Sequence, residues 1–382
     1  MPVDSEIIGQ AARTRSVRGG ARPLATGFAL CASYTLSAVT RKDSVNRAWV
    51  VWIGLVLGAA ASMHAQAAGE WRASSPQEQA LDTAAFKGVD QAITDHLADV
   101  QSAVVVLRGR VVYEFYRDGA PATLRDVQSV AKSALSSLVG IAVGQRLISL
   151  DQPVMMLLPE WAAANPDPRT AAITVRHLLT MTTGFEVNDP AGTAAAGRAR
   201  DAWARPLHAA PGQAFAYDNA LVPVLSVVLE KATGMPLADF ARLNLVAPLA
   251  FDEPSYERGL RMRTIDMAKL GQLFLQKGAW GGRQIVPESY VMAATQPQNA
   301  GGPPVSMPYG FMWWVVPSDA PRKTFMASGF GGQFIWVHPP LDLVIAITST
   351  ISPQSSRHGH ALQLIRSRLY TAAQHRATME LR

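Results

Sequence analysis

Between residues 83 and 145 the spacing of apolar positions changes period twice. Residues 83–100, TAAFKGVDQAITDHLADV, repeat their apolar positions every three to four residues, which predicts an amphipathic helix. Residues 103–107 and 111–116 are β-rich runs on either side of Arg-Gly-Arg, with Gly109 at the centre, and predict a β-hairpin. The helical period returns over 129–145. From about 150 to 275 helical runs alternate with polar, proline-rich loops, and 221–233 is an apolar helix stopped by Gly234. Strand patterns reappear late: YGFMWWVV (309–316), TFMAS (324–328), QFIWVH (333–338) and DLVIAIT (342–348), with PPL turning between the last two. Residues 360–373 predict a closing amphipathic helix.

Strands open and close this pattern and helices fill its middle. That order predicts an α+β fold, in which two early strands join three late ones in an antiparallel sheet flanked by helices. A sheet-bearing lobe is expected over about 83–150 and 276–382, with a mostly helical lobe, about 151–275, inserted beside it. Clefts between lobes are where small-molecule sites form. The sequence contains no internal repeat.

The segment before residue 68 reads differently. WVVWIGLVLGAAA (49–61) follows Arg47 and precedes Ala65-Gln66-Ala67. A basic flank, a short apolar run and an A-x-A site predict a secretory signal peptide, so residues 1–67 are read as a leader and 68–382 as an exported domain, periplasmic or secreted. An uncut membrane anchor is the alternative, and only a retained leader implies stable membrane contact. The basic flank is long for such a leader, which points to a start near Val45, although 24–39 is a second, weaker apolar stretch. The single cysteine, Cys31, lies in that stretch, and Leu30 before it is a poor match to a lipid-attachment site. Cleavage after Ala67 therefore leaves no disulfide, no cysteine nucleophile and no thiolate metal site.

Composition narrows the classes further. With 48% apolar and 17% charged residues, the chain can bury a sizeable core. Seven basic residues against three acidic ones in the leader carry +4 of the net +6, leaving +2 for the remainder. No basic block of the nucleic-acid-binding kind is present, so no nucleic-acid partner is expected.

Candidate chemistry begins at Ser129-Val130-Ala131-Lys132. Residues three apart share a helix face, and a serine hydroxyl needs a nearby base to act as a nucleophile. Lysine serves as that base only where burial or a positive neighbour lowers its pKa. Serine and lysine at this spacing also arise by chance, yet of seven lysines only Lys132 has a serine three residues before it. Of eight tyrosines only Tyr217 has an asparagine, Asn219, two residues later. A tyrosine there can shuttle a proton, while the ordinary reading is a loop with an Asx turn. ASGFGGQ (327–333) leaves a predicted strand, and its glycines permit close backbone approach to a ligand or simply a turn.

Taken in this order and spacing, S-x-x-K, Y-x-N and the glycine-rich third motif resemble the penicillin-recognising serine hydrolases. ITVRHLLTMTTGF (173–185), GLRMRTIDMAKLGQLFLQKGAWGGRQIVP (259–287) and YGFMWW narrow this to the class C β-lactamase-related group, nearest to 6-aminohexanoate-dimer hydrolases and β-lactamase-fold esterases. The likeness spans about 83–373 and implies the β-lactamase/transpeptidase-like form of the α+β class. It makes Ser129 the acylated nucleophile, Lys132 its activator and Tyr217 the proton shuttle. Asn219, Ser328 and Gly329 are implied in substrate binding, and the backbone N–H groups of Ser129 and Phe330 in the oxyanion hole. No metal and no cofactor is implied.

Ala327 departs from the family, which has a lysine there that attracts a substrate carboxylate. Losing a charge-assisted contact costs about 1.5–3 kcal/mol, or about ten- to a hundred-fold in affinity. The expectation is a small neutral ester or amide as substrate and poor β-lactam cleavage. A class C-like β-lactamase or D-alanyl peptidase, and a catalytically silent penicillin-binding-like receptor, are the rivals. His177 reads as a structural hydrogen-bonding residue. His338, His358 and His360 lack metal-ligand spacing. Trp313, Trp314 and Trp336 read as core, with one of the adjacent pair expected to face away from the packed side. The loop 189–203 either rims the pocket or is simply exposed.

Overall fold

A computed structural model describes residues 71, 73–75, 78–79, 81, 86–187, 198–257, 259–350 and 359–373. The leader and most of the 189–203 loop lie outside the described residues. The strands are β1 (Val100–Leu107), β2 (Arg110–Tyr116), β3 (Arg125–Asp126), β4 (Arg261–Met262), β5 (Ala279–Trp280), β6 (Arg283–Gln284), β7 (Asn299–Gly302), β8 (Met307–Tyr309), β9 (Trp314–Val315), β10 (Phe325–Gly329), β11 (Gln333–His338) and β12 (Leu343–Ser349). Eight of them form one sheet in the order β2-β1-β12-β11-β10-β9-β8-β7. Every pairing given for that sheet is antiparallel. The early hairpin thus joins the late meander edge to edge through β1 and β12. β3 with β4 and β5 with β6 make two short separate ladders.

The centre of the sheet is buried on both faces, as the unbroken apolar runs of β1 and β12 require. Helix Thr264–Leu275 packs across β1, β11 and β12. Gly271 allows this approach, since a Cβ there would sit 2.6 Å from Ile335 and 2.7 Å from Val344. This helix falls in the stretch expected to form the helical lobe, yet it packs on the sheet. Helix Val130–Gly144 packs against β10 and β11. Ala327 pairs with Ile335 and therefore shares its face, and Gly329, two residues on, shares it too. A Cβ on Gly329 would meet the chain just before that helix, so both helices cover the same face.

One predicted strand is in fact a hairpin. Residues 309–316 do not run straight: β8 ends at Tyr309, β9 begins at Trp314, and those two residues pair. Met312 takes a left-handed φ of 58° in the turn between them. A Cβ on Gly310 would lie 2.0 Å from the Ala294 carbonyl, so only glycine fits there. Trp313 and Trp314 are both buried, at 0% and 3% exposure, as the core reading expects, and Trp314 pairs with Met326, so it faces away from the side of β10 that carries Phe325 and Ala327. Trp313 packs on Phe274 and Phe325, whereas Trp314 packs on Phe215, Tyr217 and Tyr309.

Residues 150–250 supply helices and turns. Leu221–Thr233 is the apolar helix expected, and its C-cap Gly234 is left-handed at φ 70°. Its buried side packs against helix Val130–Gly144. His177 is structural, as expected: its Nδ1 accepts from the Thr174 N–H at 3.1 Å and completes a capping box. Within the stretch 83–100, helix Val89–His96 starts after a left-handed Gly88 and ends before β1 opens at Val100, while 83–85 lie outside the described residues. No single helix among the described residues is long and apolar enough to cross a membrane.

Candidate active site

Ser129 stands at the N-cap of helix Val130–Gly144 with helical backbone angles, φ −68° and ψ −4°. An N-cap serine ordinarily turns its hydroxyl onto an N–H of the first turn. Here no such cap bond forms. The Ser129 hydroxyl instead lies 3.0 Å from Lys132 Nζ, which donates to it. The expected reach across one helical turn is therefore present.

The approach to Ser129 is set by backbone geometry. The short β3–β4 ladder holds 125–126 against 261–262, and the Val127 N–H donates to the Leu260 carbonyl at 3.1 Å. Gln128 then adopts a left-handed φ of 50°, uncommon for a residue with a Cβ. Asp126 stabilises it by accepting from the Gln128 N–H at 2.8 Å and from its side-chain amide at 2.7 Å. β10 packs against this bend through Gly329, where a Cβ would meet the Val127 carbonyl at 2.7 Å and Gln128 Cβ at 3.0 Å. Glycine is thus required in the third motif by close approach of two backbones.

Lys132 is 5% exposed. It donates to Asn219 Oδ1 at 2.7 Å and lies 4.8 Å above the ring of Tyr217, itself 5% exposed. Serine, lysine, tyrosine and asparagine, drawn from segments almost 90 residues apart in sequence, are therefore brought to one point. Tyr217 stacks on Trp314, with ring centres 5.8 Å apart and planes 21° apart, and meets Tyr309 edge-on at 6.4 Å. Burial, and then the neighbouring Tyr217, hold the Tyr309 phenol well above the ordinary tyrosine range, so Tyr309 stays neutral.

The loop carrying Tyr217 is anchored by side chains. Asp218, 4% exposed, accepts from the Ala220 N–H at 2.9 Å in an Asx turn and from Arg205 Nη2 at 2.5 Å. The Arg205 guanidinium also donates to the Ala202 and Glu186 carbonyls at 2.9 and 3.2 Å. The Asx turn and the candidate catalytic role of Tyr217 coexist. Sequence reasoning did not find Arg205, Trp314 or Tyr309 as neighbours of the site. An arginine twelve residues before Tyr217 has no spacing rule that links it to the motif.

The third motif divides. Gly329 meets the Ser129 approach directly. Ser328 pairs with Phe334, alternates to the other face of β10, and has no hydrogen bond to the Ser129–Lys132–Asn219 cluster among the described residues. Phe330 opens the turn and leaves its side chain 44% exposed. Neither the Ser129 nor the Phe330 N–H has a backbone acceptor among the described residues. Ala327 is buried at 1% exposure and offers no charge at the position where the family has a lysine.

Two cavities adjoin these residues. One, about 300 Å³, is lined by Val187, Phe215, Ala216, Tyr217 and Pro303, with Glu186 and His208 as its polar members. The other, about 340 Å³, is lined mainly by polar residues, among them Asp126, Gln128, Arg261 and Gln333. No group of metal-ligating side chains occurs among the described residues.

The chain is similar to several known proteins. The 6-aminohexanoate-dimer hydrolase of Paenarthrobacter ureafaciens is 26% identical over 305 residues, 68% of this chain and 75% of the relative. Esterase EstB of Burkholderia gladioli is 30% identical over 187 residues, 42% of this chain and 47% of the esterase. Among solved structures, EstCE1, described as a hydrolase with promiscuous acyltransferase activity, superposes with a TM-score of 0.62 at 17% identity, over 75% of this chain and 98% of EstCE1.

 The structure of a putative β-lactamase from Bacteroides dorei superposes with a TM-score of 0.65 at 17% identity, over 77% of this chain and 99% of that one. These likenesses establish the β-lactamase/transpeptidase-like fold with its antiparallel sheet and flanking helices. A family profile described as Beta-lactamase matches residues 89–369, most of the chain, and the protein belongs to the beta-lactamase family of hydrolases.

Proposed function

We propose that this protein is an exported serine hydrolase that cleaves small neutral esters or amides through an acyl-enzyme on Ser129. The observation that carries the reading is the Ser129 hydroxyl, unused as a helix cap and held 3.0 Å from the buried Lys132 amine. Lys132 takes the hydroxyl proton as Ser129 Oγ attacks the carbonyl carbon. The Ser129 and Phe330 N–H groups receive the developing oxyanion. Tyr217 passes a proton to the departing alcohol or amine, and the C–O or C–N bond breaks. Water then attacks the acyl-enzyme, with Tyr217 and Lys132 as the groups placed to accept its proton, and releases the acid. Asn219 holds Lys132 in place. The mostly apolar cavity beside Tyr217 and the absence of a cation at Ala327 favour substrates without a carboxylate. The esterase and amide-hydrolase relatives support the same substrate class.

The test compares p-nitrophenyl acetate and butyrate turnover by wild type, Ser129→Ala and Lys132→Ala, with a chromogenic cephalosporin in parallel. Both variants are expected to lose about 10³-fold or more in kcat/KM on the esters. Cephalosporin cleavage is expected to be slow in all three proteins. Fast cephalosporin turnover by wild type would return the β-lactamase reading. A folded wild type that turns over neither substrate and whose Ser129 resists a fluorophosphonate would leave the silent receptor.

A further inference from the structure

Gln333 opens β11 and is 1% exposed. A buried primary amide is costly unless its donors and acceptor find partners. Gln333 Nε2 donates to the Ser349 carbonyl at 2.8 Å and to the Phe330 carbonyl at 3.3 Å, while Oε1 accepts from the Ser349 N–H at 2.9 Å. Ser349 adds a second tie, its hydroxyl donating to the Gly332 carbonyl at 3.0 Å. Two carbonyls of the turn between β10 and β11 are thus held, Gly332 from β12 and Phe330 from Gln333, which is itself tied to β12.

That turn needs holding. Gly331 and Gly332 take φ of 79° and 99°, conformations that glycine enters freely and leaves freely. On its β10 side the turn is fixed by the contact of Gly329 with Val127 and Gln128. On the β11 side the Gln333 amide is the group bonded to Phe330. The plane that carries the Phe330 N–H is held by the Gly332 N–H donating to the Gly329 carbonyl at 3.3 Å, and the next plane by Gln333 on the Phe330 carbonyl, so the two bonds together limit the φ and ψ of Phe330 and with them the direction of its N–H.

We propose that Gln333 is a positioning residue for the oxyanion hole, holding the Phe330 N–H in the direction that receives the developing charge. This rests on the acyl-enzyme reading of Ser129. Gln333 itself touches no reacting atom. Its loss therefore acts on the transition state and leaves ground-state binding nearly unchanged.

The experiment uses the full chain and the variants Gln333→Leu, Gln333→Glu and Ser349→Ala. Readouts are kcat and KM on p-nitrophenyl butyrate, Ki for an aryl trifluoromethyl ketone that forms a tetrahedral adduct on serine, and thermal melting. Gln333→Leu is expected to lower kcat by about 10²-fold with KM little changed, and to raise Ki in parallel. Gln333→Glu keeps the acceptor toward the Ser349 N–H but loses the donor to the Phe330 carbonyl, and is expected to lower kcat at least as far as Gln333→Leu. Ser349→Ala is expected to lower kcat only a few-fold. Should Gln333→Leu fail to fold, Gln333→Glu and Ser349→Ala decide by the same kcat and Ki readouts. Folded variants with kcat and Ki near wild type, or with KM alone changed, overturn the proposal. Absence of fluorophosphonate labelling at Ser129 in wild type overturns the acyl-enzyme reading first, and this inference with it.

Discussion

The two halves of the candidate site are held in place by different means. Ser129 is placed by the backbone: a β-ladder at 125–126, a left-handed Gln128 and a glycine strand pressed against it. Tyr217 and Asn219 are placed by side chains: the Arg205–Asp218 ion pair and a stack of aromatic rings. Backbone placement leaves little room for a shift, because adjacent main chains cannot rotate out of a clash. Side-chain placement spreads the restraint over several contacts, so no single loss removes it all. The serine half should therefore fail sharply on one added methyl, and the tyrosine half should fail by degrees.

Gly329→Ala breaks the first half and carries the largest expected effect. The new Cβ would lie 2.7 Å from the Val127 carbonyl and 2.9 Å from Gln333 Cβ, so β10 or the Ser129 approach must move. A displacement approaching 1 Å at a reacting group costs about 10²-fold in rate. Overpacking of this kind also removes about 1–3 kcal/mol of stability. Ester kcat/KM with a thermal melt checks both numbers. Activity near wild type would mean that the backbone contact places nothing of consequence.

Arg205→Met breaks the second half less completely. It leaves the Asp218 carboxylate, 6% exposed at its side chain, without its cationic partner. Removing one member of a buried pair costs about 3–5 kcal/mol, and the partial exposure of Arg205, 20%, places the loss toward the lower end. The rate should fall about tenfold, because Trp314 and Tyr309 still hold the Tyr217 ring. Asp218→Asn added to Arg205→Met should recover much of the stability, since it removes the stranded charge and keeps the oxygen of the Asx turn. Additive losses in that double-mutant cycle would show that the pair does not couple.

The same contrast explains what could be read from the chain. Ser129, Lys132, Tyr217 and Asn219 stood out because fixed short spacings mark them. Gln333 and Arg205 did not, because what they do depends on contacts with Phe330, Ser349 and Asp218 that only the folded chain creates. The early hairpin, the late meander and the apolar helix 221–233 followed from periodicity, since each buries one continuous pattern. The stretch 309–316 misled because seven of its eight residues are apolar or aromatic and its turn rests on one glycine. Helix Thr264–Leu275 has a clear helical pattern, but nothing local says that Gly271 will dock it on the sheet.

The smallest expected effect lies outside both halves, at His177, which serves as the control for them. Burial, the larger cause, holds its imidazole below the usual histidine range, and the neighbouring Arg176 adds to this. The unfolded chain therefore binds a proton before the folded one does. Stability is fully present above the unfolded value near 6.5 and is lost as pH falls from there through the folded value. His177→Gln should lower the melting temperature modestly at pH 7.5, by loss of the capping box, about 1 kcal/mol. It should also flatten the part of the melting curve's pH dependence that lies just below 6.5. Ester kcat at pH 7.5 should stay close to wild type, because His177 makes its hydrogen bonds to Thr174 and none to the serine cluster among the described residues. A large loss of kcat with an unchanged melt would instead give His177 a part in the chemistry, and the division into a backbone-held and a side-chain-held half would then be incomplete.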